Sequence, residues 1–200
     1  MNYSAWKRLI DLLGGALGAL AVFILLPFAA FFIAIEDGFP VFVRLERLSG
    51  GKTIRVWKFR TMERGAHSKK RHLMGMNERA DGPLFKMKRD PRVTKTGKIL
   101  RKFRLDEFPQ FLNVLAGDMA LVGPRPHEPE EVEKYPPEFK KIADAKAGIT
   151  GLSQVSGASA LPFLKELELD FDYLKRVNFK TDAKIIRKTI TILFTDPTGI

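Results

Sequence analysis

Residues 12–35 read Leu-Leu-Gly-Gly-Ala-Leu-Gly-Ala-Leu-Ala-Val-Phe-Ile-Leu-Leu-Pro-Phe-Ala-Ala-Phe-Phe-Ile-Ala-Ile, and these 24 residues contain no charged side chain. A helix of this length is about 36 Å long, enough to cross a hydrocarbon core of about 30 Å. The run is too long for the apolar core of a signal peptide, and no small-residue cleavage site precedes Glu36. We therefore expect residues 1–36 to form a membrane helix and residues 37–200 to form a separate domain.

The charges that flank this run pose a problem of topology. Lys7 and Arg8 precede it, whereas Glu36 and Asp37 follow it. The positive-inside rule then puts the N-terminus in the cytoplasm, and a straight helix would export the rest of the chain. Pro27 lies near the middle of the run, where it removes a backbone hydrogen bond and favours a kink. A bent helix could enter and leave by one face, but the residues alone favour a spanning helix.

The composition limits the classes of partner. The chain has 200 residues, enough for one soluble domain of ordinary size and a membrane element. Its formal charge of +11 favours nucleic acid, anionic lipid headgroups or phosphorylated substrates. Cysteine is absent, which excludes a disulfide framework, a cysteine metal site and a cysteine nucleophile. Neither a Walker A sequence nor a dinucleotide fingerprint is present.

Beyond residue 36 the pattern predicts an α+β domain that is mostly helical and carries a small β-hairpin. The hairpin covers residues 40–62, with Ser49-Gly50-Gly51 as the turn. Residues 63–82 are expected to form a loop or a short helix, and residues 123–137, with five prolines, an ordered loop. Apolar residues at helical spacing predict helices around 108–115, 164–174 and 185–193. The last of these has the basic composition of a helix lying on an anionic membrane, with packing against the core as the alternative.

Two adjacent carboxylates, Asp106 and Glu107, precede the helical pattern at 108–115. Asp106 is predicted to cap this helix, and the positive charge of a helix N-terminus favours an ionised carboxylate. An ionised Asp can attack a phosphorus atom and hold the phosphoryl group covalently. A neighbouring Glu can bind Mg²⁺ together with phosphate oxygens. For an isolated Asp-Glu pair, a purely structural capping role is the more common explanation.

Arginines and a lysine supply candidate phosphate ligands. Guanidinium groups bind phosphate oxygens in pairs and stay charged, which suits Arg101 and Arg125. Arg125 lies between two prolines that stiffen its backbone, whereas Arg104 is more simply explained as surface charge. Lys58 and Arg60, at the end of a predicted strand, either line an anionic pocket or belong to the solvated face of an edge strand.

Four segments of the chain together resemble the bacterial sugar transferase family, in particular its monotopic phosphoglycosyl transferases. They occur in the family's order, and the middle two are long and specific. The overall length is similar to that of the small members, which lack extra N-terminal membrane helices. The segments are Lys58–Met62, Arg101 with Leu105–Gln110, Asn113–Pro126 and Gly148–Gly151.

The resemblance implies an enzyme that moves a phosphosugar from a UDP-sugar to polyprenol (undecaprenyl) phosphate and releases UMP. It implies that Asp106 is the nucleophile and forms a covalent phosphosugar intermediate. It further implies that Glu107 associates with Mg²⁺ and that Arg101 and Arg125 bind phosphate. The expected location is the cytoplasmic face of the bacterial plasma membrane, with the lipid bilayer as a partner and no nucleic acid.

The same resemblance implies a re-entrant helix with a break at a proline, for which Pro27 is the candidate. The family often pairs a serine with that proline, whereas Leu26 precedes it here. Residues 158–200 match the family motifs weakly, which leaves open a role in the sugar pocket, a homodimer contact or membrane docking. The residues do not identify the sugar.

The competing hypothesis is a non-enzymatic, membrane-anchored basic domain that binds nucleic acid or anionic lipid. The net charge and the last amphipathic helix support it equally well. The clustering of Asp106, Glu107 and Arg125 separates the two hypotheses, because binding driven by charge alone does not need it.

Overall fold

The structure, a computed structural model, describes residues 4–79, 81–157 and 160–195. The predicted α+β class, mostly helical, is confirmed. Of residues 158–200, whose role the sequence leaves open, residues 158–159 and 196–200 lie outside the described part. The helices are α1 (Ala5–Asp37), α2 (Ala66–Leu73), α3 (Lys95–Lys102), α4 (Gln110–Ala116), α5 (Pro129–Glu133), α6 (Leu152–Val155), α7 (Phe163–Lys175) and α8 (Phe179–Thr195). The strands are β1 (Phe42–Ser49), β2 (Lys52–Phe59), β3 (Ala120–Val122) and β4 (Gly148–Thr150), and 3₁₀ turns cover Met74–Met76, Leu105–Glu107 and Pro137–Asp144.

The predicted hairpin is confirmed. β1 and β2 pair antiparallel, in register from Phe42 opposite Phe59 to Ser49 opposite Lys52. Gly50 and Gly51 turn the chain with φ angles of 61° and 73°, a left-handed conformation that glycine adopts without steric cost. Ile54 and Val56 of β2 belong to a buried cluster with Val114 of α4, and Phe59, at the end of the strand, belongs to a cluster that includes residues of α1. The hairpin thereby connects the membrane helix to the helix that follows the carboxylate pair.

Strands β3 and β4 pair in parallel and bring two of the family motifs together. Ala120 lies opposite Gly148, and Val122 lies opposite Thr150. A side chain is excluded here, because a Cβ atom on Gly148 would lie 2.1 Å from the backbone nitrogen of Gly123. The glycines of these two segments therefore allow close contact between the backbones.

Helix α1 has one face against the domain and another that is exposed and apolar. Its 33 residues form the one helix in the described ranges that is long and apolar enough to cross a membrane. The exposed face includes Leu17, Phe23 and Ile35, each at least 70% exposed. The helix continues through Pro27 without a non-helical residue, because a proline removes only one N–H from the hydrogen-bond ladder. The predicted break is therefore not an unwound segment within α1, and the re-entrant course stays a prediction.

Both ends of α1 bind the same domain. Arg8, near the start, donates to the carbonyls of Val114 and Leu115 in the last turn of α4, at 2.8 and 2.9 Å. Glu36, near the end, accepts the backbone N–H groups of Lys95 and Thr96, which begin α3. These charges satisfy backbone groups that helix termini leave unpaired. One domain therefore contacts both ends of α1.

The segment at residues 123–137 is not entirely a loop, as the sequence had suggested. Helix α5 occupies Pro129–Glu133 within it. Proline is tolerated at the first position of a helix, because its missing N–H would have no intrahelical partner there. The Glu131 side chain also accepts the N–H of Glu128, which closes the start of this helix.

The last helix, α8, packs against the core, which is one of the two alternatives that its sequence allows. Ile185 is buried in a cluster with Val122 and Tyr173, so one side of the helix packs against the core. Phe179 and Phe194 are exposed, and the position of α8 at the membrane interface stays a prediction.

We expect Gly18→Ala to destabilise the contact between α1 and α4. Its Cβ atom would lie 2.1 Å from the ring of Phe111 on α4. Overpacking costs about 1–3 kcal/mol, which should exceed the roughly 1 kcal/mol gained in helix propensity. Thermal unfolding of the purified protein in detergent micelles measures the difference. Gly75→Ala is the matched control because no atom lies within 4 Å of the added carbon; equal stability of the two variants would contradict the close packing.

Candidate active site

The carboxylate pair lies in a tight turn between two helices. Helix α3 ends at Lys102, and Arg104 follows with a left-handed backbone, φ 54° and ψ 20°. Such a conformation is uncommon for a residue other than glycine and often marks a functional site. The chain then forms the 3₁₀ turn Leu105–Glu107 before α4 begins at Gln110.

The prediction that Asp106 caps α4 is therefore wrong. Pro109 is the residue that precedes the first turn of α4, and Asp106 lies further upstream. The reason is that proline has no N–H and cannot extend the hydrogen-bond ladder back to the carboxylate pair. The helix itself and its end at Gly117, which has a left-handed backbone, are confirmed.

Cations from separate segments surround the pair. The ammonium group of Lys58, on β2, lies 2.5 Å from Oε1 of Glu107. Arg101, on α3, donates from Nε to Oγ1 of Thr61 at 2.9 Å, and its charge acts on Asp106. Arg125, in the loop after β3, acts on Glu107. The structure thus places Lys58, Arg101 and Arg125 around the two carboxylates, and their binding of a substrate phosphate stays a prediction.

Arg104, which the sequence left as surface charge, also contributes to this field. Burial on its own would raise the pKa of Glu107, but Lys58, Arg125 and Arg104 together lower this pKa to about 2. Glu107 is therefore ionised at neutral pH. The arginine owes its place to the left-handed turn, which no local sequence pattern announces.

Asp106 has the opposite shift. Asp106 is 9% exposed, and burial raises the pKa of its carboxyl group. Lys58 works against this rise, whereas the charge of Glu107 adds to it. Positive charge brought beside Asp106 would act in the same direction as Lys58.

A buried amide holds β2 against α4. Asn113 is 2% exposed; its Oδ1 accepts the N–H of Trp57 at 2.9 Å, and its Nδ2 donates to the carbonyl of Arg55 at 2.8 Å. It therefore pairs with the strand edge as a neighbouring strand would, and fixes Lys58 beside Glu107. Our sequence reasoning did not single out Asn113, although a polar residue within an apolar helical pattern is a usable signal.

The backbone of residues 121–125 is held by several elements at once. A buried carboxylate of α7, Asp170, accepts the N–H of Arg125 at 3.0 Å, and burial raises the pKa of Asp170 to about 6. Membrane helix α1 also takes part, through Asp11 and Lys7. The remaining bonds are Asp11 Oδ1 with Leu121 N–H at 2.7 Å, Lys7 Nζ with Val122 O at 2.8 Å, Gly123 N–H with Thr150 O at 2.9 Å, and Gly148 N–H with Pro124 O at 2.8 Å. The loop that carries Arg125 is consequently rigid.

Lys7 is the centre of a buried network at the start of α1. Besides Val122, it contacts Oδ2 of Asp182 at 2.6 Å and the hydroxyl of Tyr173 at 3.1 Å. Asp182 is 1% exposed and belongs to α8. One ammonium group therefore joins α1, α7 and α8 to the strand that leads into the Arg125 loop.

Arg60 is directed towards the end of α1. Its Nη2 donates to the carbonyls of Asp37 and Gly38, and it pairs with the Asp37 carboxylate at 3.2 Å. The structure therefore gives Arg60 partners at the C-terminal end of the membrane helix, apart from the cations that act on Asp106 and Glu107. Its predicted contact with a substrate phosphate stays a prediction.

His127, which follows the Arg125 loop, belongs to the core. It is 4% exposed, and its Nδ1 pairs with the hydroxyl of Tyr135. Burial lowers its pKa to about 3, and the charge of Arg125 acts in the same direction. A neutral, buried imidazole of this kind is unsuited to proton transfer near neutral pH.

The fold and site together define a membrane-associated basic domain that holds two carboxylates among arginines and a lysine. The family model of the bacterial sugar transferase matches residues 2–196. The chain belongs to the bacterial sugar transferase family.

Several named relatives have similar sequences. The galactosyl transferase CpsE of Streptococcus agalactiae serotype III (strain NEM316) is 38% identical over 188 residues, which cover 94% of this chain and 42% of the relative. The UDP-glucose:undecaprenyl-phosphate glucose-1-phosphate transferase of Caulobacter vibrioides is 35% identical, with 94% of this chain and 70% of the relative covered. The uncharacterized sugar transferase EpsL of Bacillus subtilis is 35% identical, with 92% and 85% covered. The chain thus spans less than half of the streptococcal relative and most of the other two.

We expect Lys7→Met to destabilise the fold by about 3 kcal/mol, because it leaves the buried Asp182 carboxylate without its cation. Adding Asp182→Leu should recover much of this loss, since replacing both partners of a buried pair by apolar residues is often nearly neutral. The free energy of unfolding in detergent measures both effects. Lys180→Met, at an exposed position of the same helix as Asp182, should change it by less than about 0.5 kcal/mol. If Lys7→Met alone were as stable as Lys180→Met, the buried network around Lys7 would not be a source of stability.

Proposed function

We propose that this chain transfers a phosphosugar from a UDP-sugar to a polyprenyl phosphate, with Asp106 as the covalent carrier. The observation that carries the proposal is the buried Asp106 beside the ionised Glu107, with Lys58, Arg101 and Arg125 arranged around them. Family membership supports it, as does the Caulobacter relative, whose name describes a transfer of glucose 1-phosphate to undecaprenyl phosphate.

In the first half-reaction, a carboxylate oxygen of Asp106 attacks the sugar-linked phosphorus of the donor. A P–O bond to this oxygen forms, and the bond that joins the two phosphates breaks, so that UMP leaves with the electron pair. Charge moves onto the leaving phosphate as this happens. Arg101 and Arg125 lie where they can offset that charge, which is mainly electrostatic catalysis.

In the second half-reaction, a phosphate oxygen of the polyprenyl phosphate attacks the same phosphorus. The bond to Asp106 breaks, and the product is a polyprenyl-diphosphate sugar. Because both displacements occur at one phosphorus, a single phosphate pocket serves the departing UMP and the arriving acceptor in turn. The compact cluster of cations suits such a site.

The surfaces of the molecule support a position at the membrane interface. The exposed apolar faces of α1 and α8 would enter the headgroup region, where the acceptor phosphate lies. We propose the cytoplasmic face, because the domain is strongly basic and cytoplasmic segments are enriched in Lys and Arg.

A divalent cation such as Mg²⁺ fits the carboxylates of the site. Within the described residues no group of three or more His, Cys, Asp and Glu could hold a metal. Mg²⁺ does not require such a cage, since it commonly takes one or two carboxylates with substrate phosphates and waters. We propose that Glu107 holds it. The ion would supply positive charge that offsets the diphosphate and favours ionised Asp106.

The anchored-binder hypothesis explains the net charge but not the interior of the site. A surface that attracts anions gains nothing from a buried carboxylate next to its cations, since burial without compensation costs free energy. Asp106 is such a group. The transfer reaction is therefore the better explanation of this residue.

We expect Asp106→Asn to reduce UMP release at least about a thousandfold, because the amide cannot act as the nucleophile. The assay contains purified protein in nanodiscs, undecaprenyl phosphate, Mg²⁺ and a panel of UDP-sugars. Intact-mass spectrometry with donor alone should show a phosphosugar adduct on wild type but not on the variant. Asp172→Asn, an exposed carboxylate on α7, is the matched control. Activity near wild type in Asp106→Asn would exclude this nucleophile, and a silent wild type would favour the anchored binder.

We expect Glu107→Gln to raise the Mg²⁺ concentration that gives half-maximal activity by about tenfold, because one anionic ligand is lost. Activity of wild type should vanish with EDTA and return with Mg²⁺. Glu63→Gln removes the partner of an exposed Glu–Lys pair of similar length, 2.7 Å, and serves as the control. If the metal dependence of Glu107→Gln equals that of this control, Glu107 does not hold the ion.

A further inference from the structure

An apolar groove of about 200 Å³ lies between the second half of α1 and helix α3. Its floor consists of Ala29, Phe59 and Leu100, each at most 7% exposed. Its rim includes Phe28 and Ile99, which are 65% and 59% exposed. The rim residue Phe28 belongs to the helix that we place in the membrane, so the groove opens towards the lipid.

The lining of the groove is next, along the chain, to residues of the carboxylate site. Three residues of its lining are chain neighbours of residues in the site. Phe59 follows Lys58, Leu100 precedes Arg101, and Leu105 precedes Asp106. Apolar residues of the groove and charged residues of the site are thus adjacent in sequence on three separate segments.

We propose that this groove binds the first isoprene units of the acceptor lipid and thereby directs its phosphate towards Asp106. The inference rests on the proposed function. A molecule with a charged phosphate at one end and a hydrocarbon chain at the other matches a surface that changes from charged to apolar at Leu105. Among the described residues, those that line the groove carry no charge, and Thr96 is the polar one.

The size of the groove favours a single chain. An engineered apolar cavity of about 150 Å³ holds one benzene molecule, so a groove of about 200 Å³ holds a short segment of one chain. A bilayer phospholipid has two acyl chains, and its phosphate is a diester enclosed between glycerol and headgroup. A prenyl phosphate has one chain and a terminal phosphate, which can approach Asp106 while its first units remain in the groove. The remainder of the chain then stays in the bilayer.

The test compares Ile99→Trp, which fills the groove from its exposed rim, with Ile190→Trp, an exposed isoleucine on α8 outside the groove. Loss of the apolar contact should raise the acceptor KM of Ile99→Trp about tenfold, while its donor KM changes less than twofold. Ile190→Trp should keep both values. An acceptor KM of Ile99→Trp equal to that of Ile190→Trp would overturn the proposal.

A second measurement does not depend on turnover or on the folding of a variant. Wild-type protein in nanodiscs is cross-linked to a prenyl phosphate that carries a diazirine in its first isoprene unit. Labelling of residues 25–32 and 96–100, removed by unlabelled prenyl phosphate but not by phosphatidylglycerol, is the expected result. Labelling elsewhere, or equal competition by phosphatidylglycerol, would overturn the proposal. The phosphosugar adduct formed with donor alone tests the proposed function separately, since it needs no acceptor.

Discussion

The fold depends on the capture of both ends of α1 by one domain. Arg8 satisfies carbonyls at the end of α4, and Glu36 satisfies N–H groups at the start of α3. Helix ends attract charges of these signs, so each contact stabilises both partners. Because Arg8 and Glu36 bind partners within the protein, their charges do not by themselves determine how α1 is oriented in a membrane. The position of the hairpin and of the carboxylate turn follows from this arrangement, since α3 and α4 flank both.

The two adjacent carboxylates have different surroundings, which shift their pKa values in opposite directions. Lys58 takes Glu107 as its direct partner at 2.5 Å, while Asp106 is turned into the protein. The pKa of Glu107 is consequently lowered and that of Asp106 raised. Neighbouring acidic groups with opposite shifts commonly have different chemical roles. In the proposed reaction, Glu107 would be the fixed anion that attracts a cation, and Asp106 would be the nucleophile.

Sequence reasoning found the features that have a local signature. The uncharged run, the glycine turn of the hairpin and the apolar spacing of α4 each produce a pattern within a few residues. The motif residues Asp106 and Glu107 were found for the same reason. It missed the buried role of Lys7, whose partners Val122 and Asp182 are 115 and 175 residues away and leave no trace nearby. It also misplaced the cap of α4, because Pro109 interrupts the hydrogen-bond ladder between Asp106 and the helix. The left-handed turn at Arg104 was not foreseen, since a residue other than glycine seldom adopts it. Long-range bonds and unusual backbone conformations require the three-dimensional structure.

The membrane helix is part of the site rather than an anchor joined to it. A flexible linker would let a catalytic domain move independently of its membrane segment. Here Lys7 and Asp11 bind the backbone of the strand before Arg125, and Ala29 forms the floor of the groove beside Leu105. Removing α1 would take the cation from the buried Asp182 and the acceptor from the N–H of Leu121, so the loop that carries Arg125 would lose support together with its attachment. The distance of Asp106 from the bilayer is therefore set by the packing of α1, and substrates must reach it at that fixed depth.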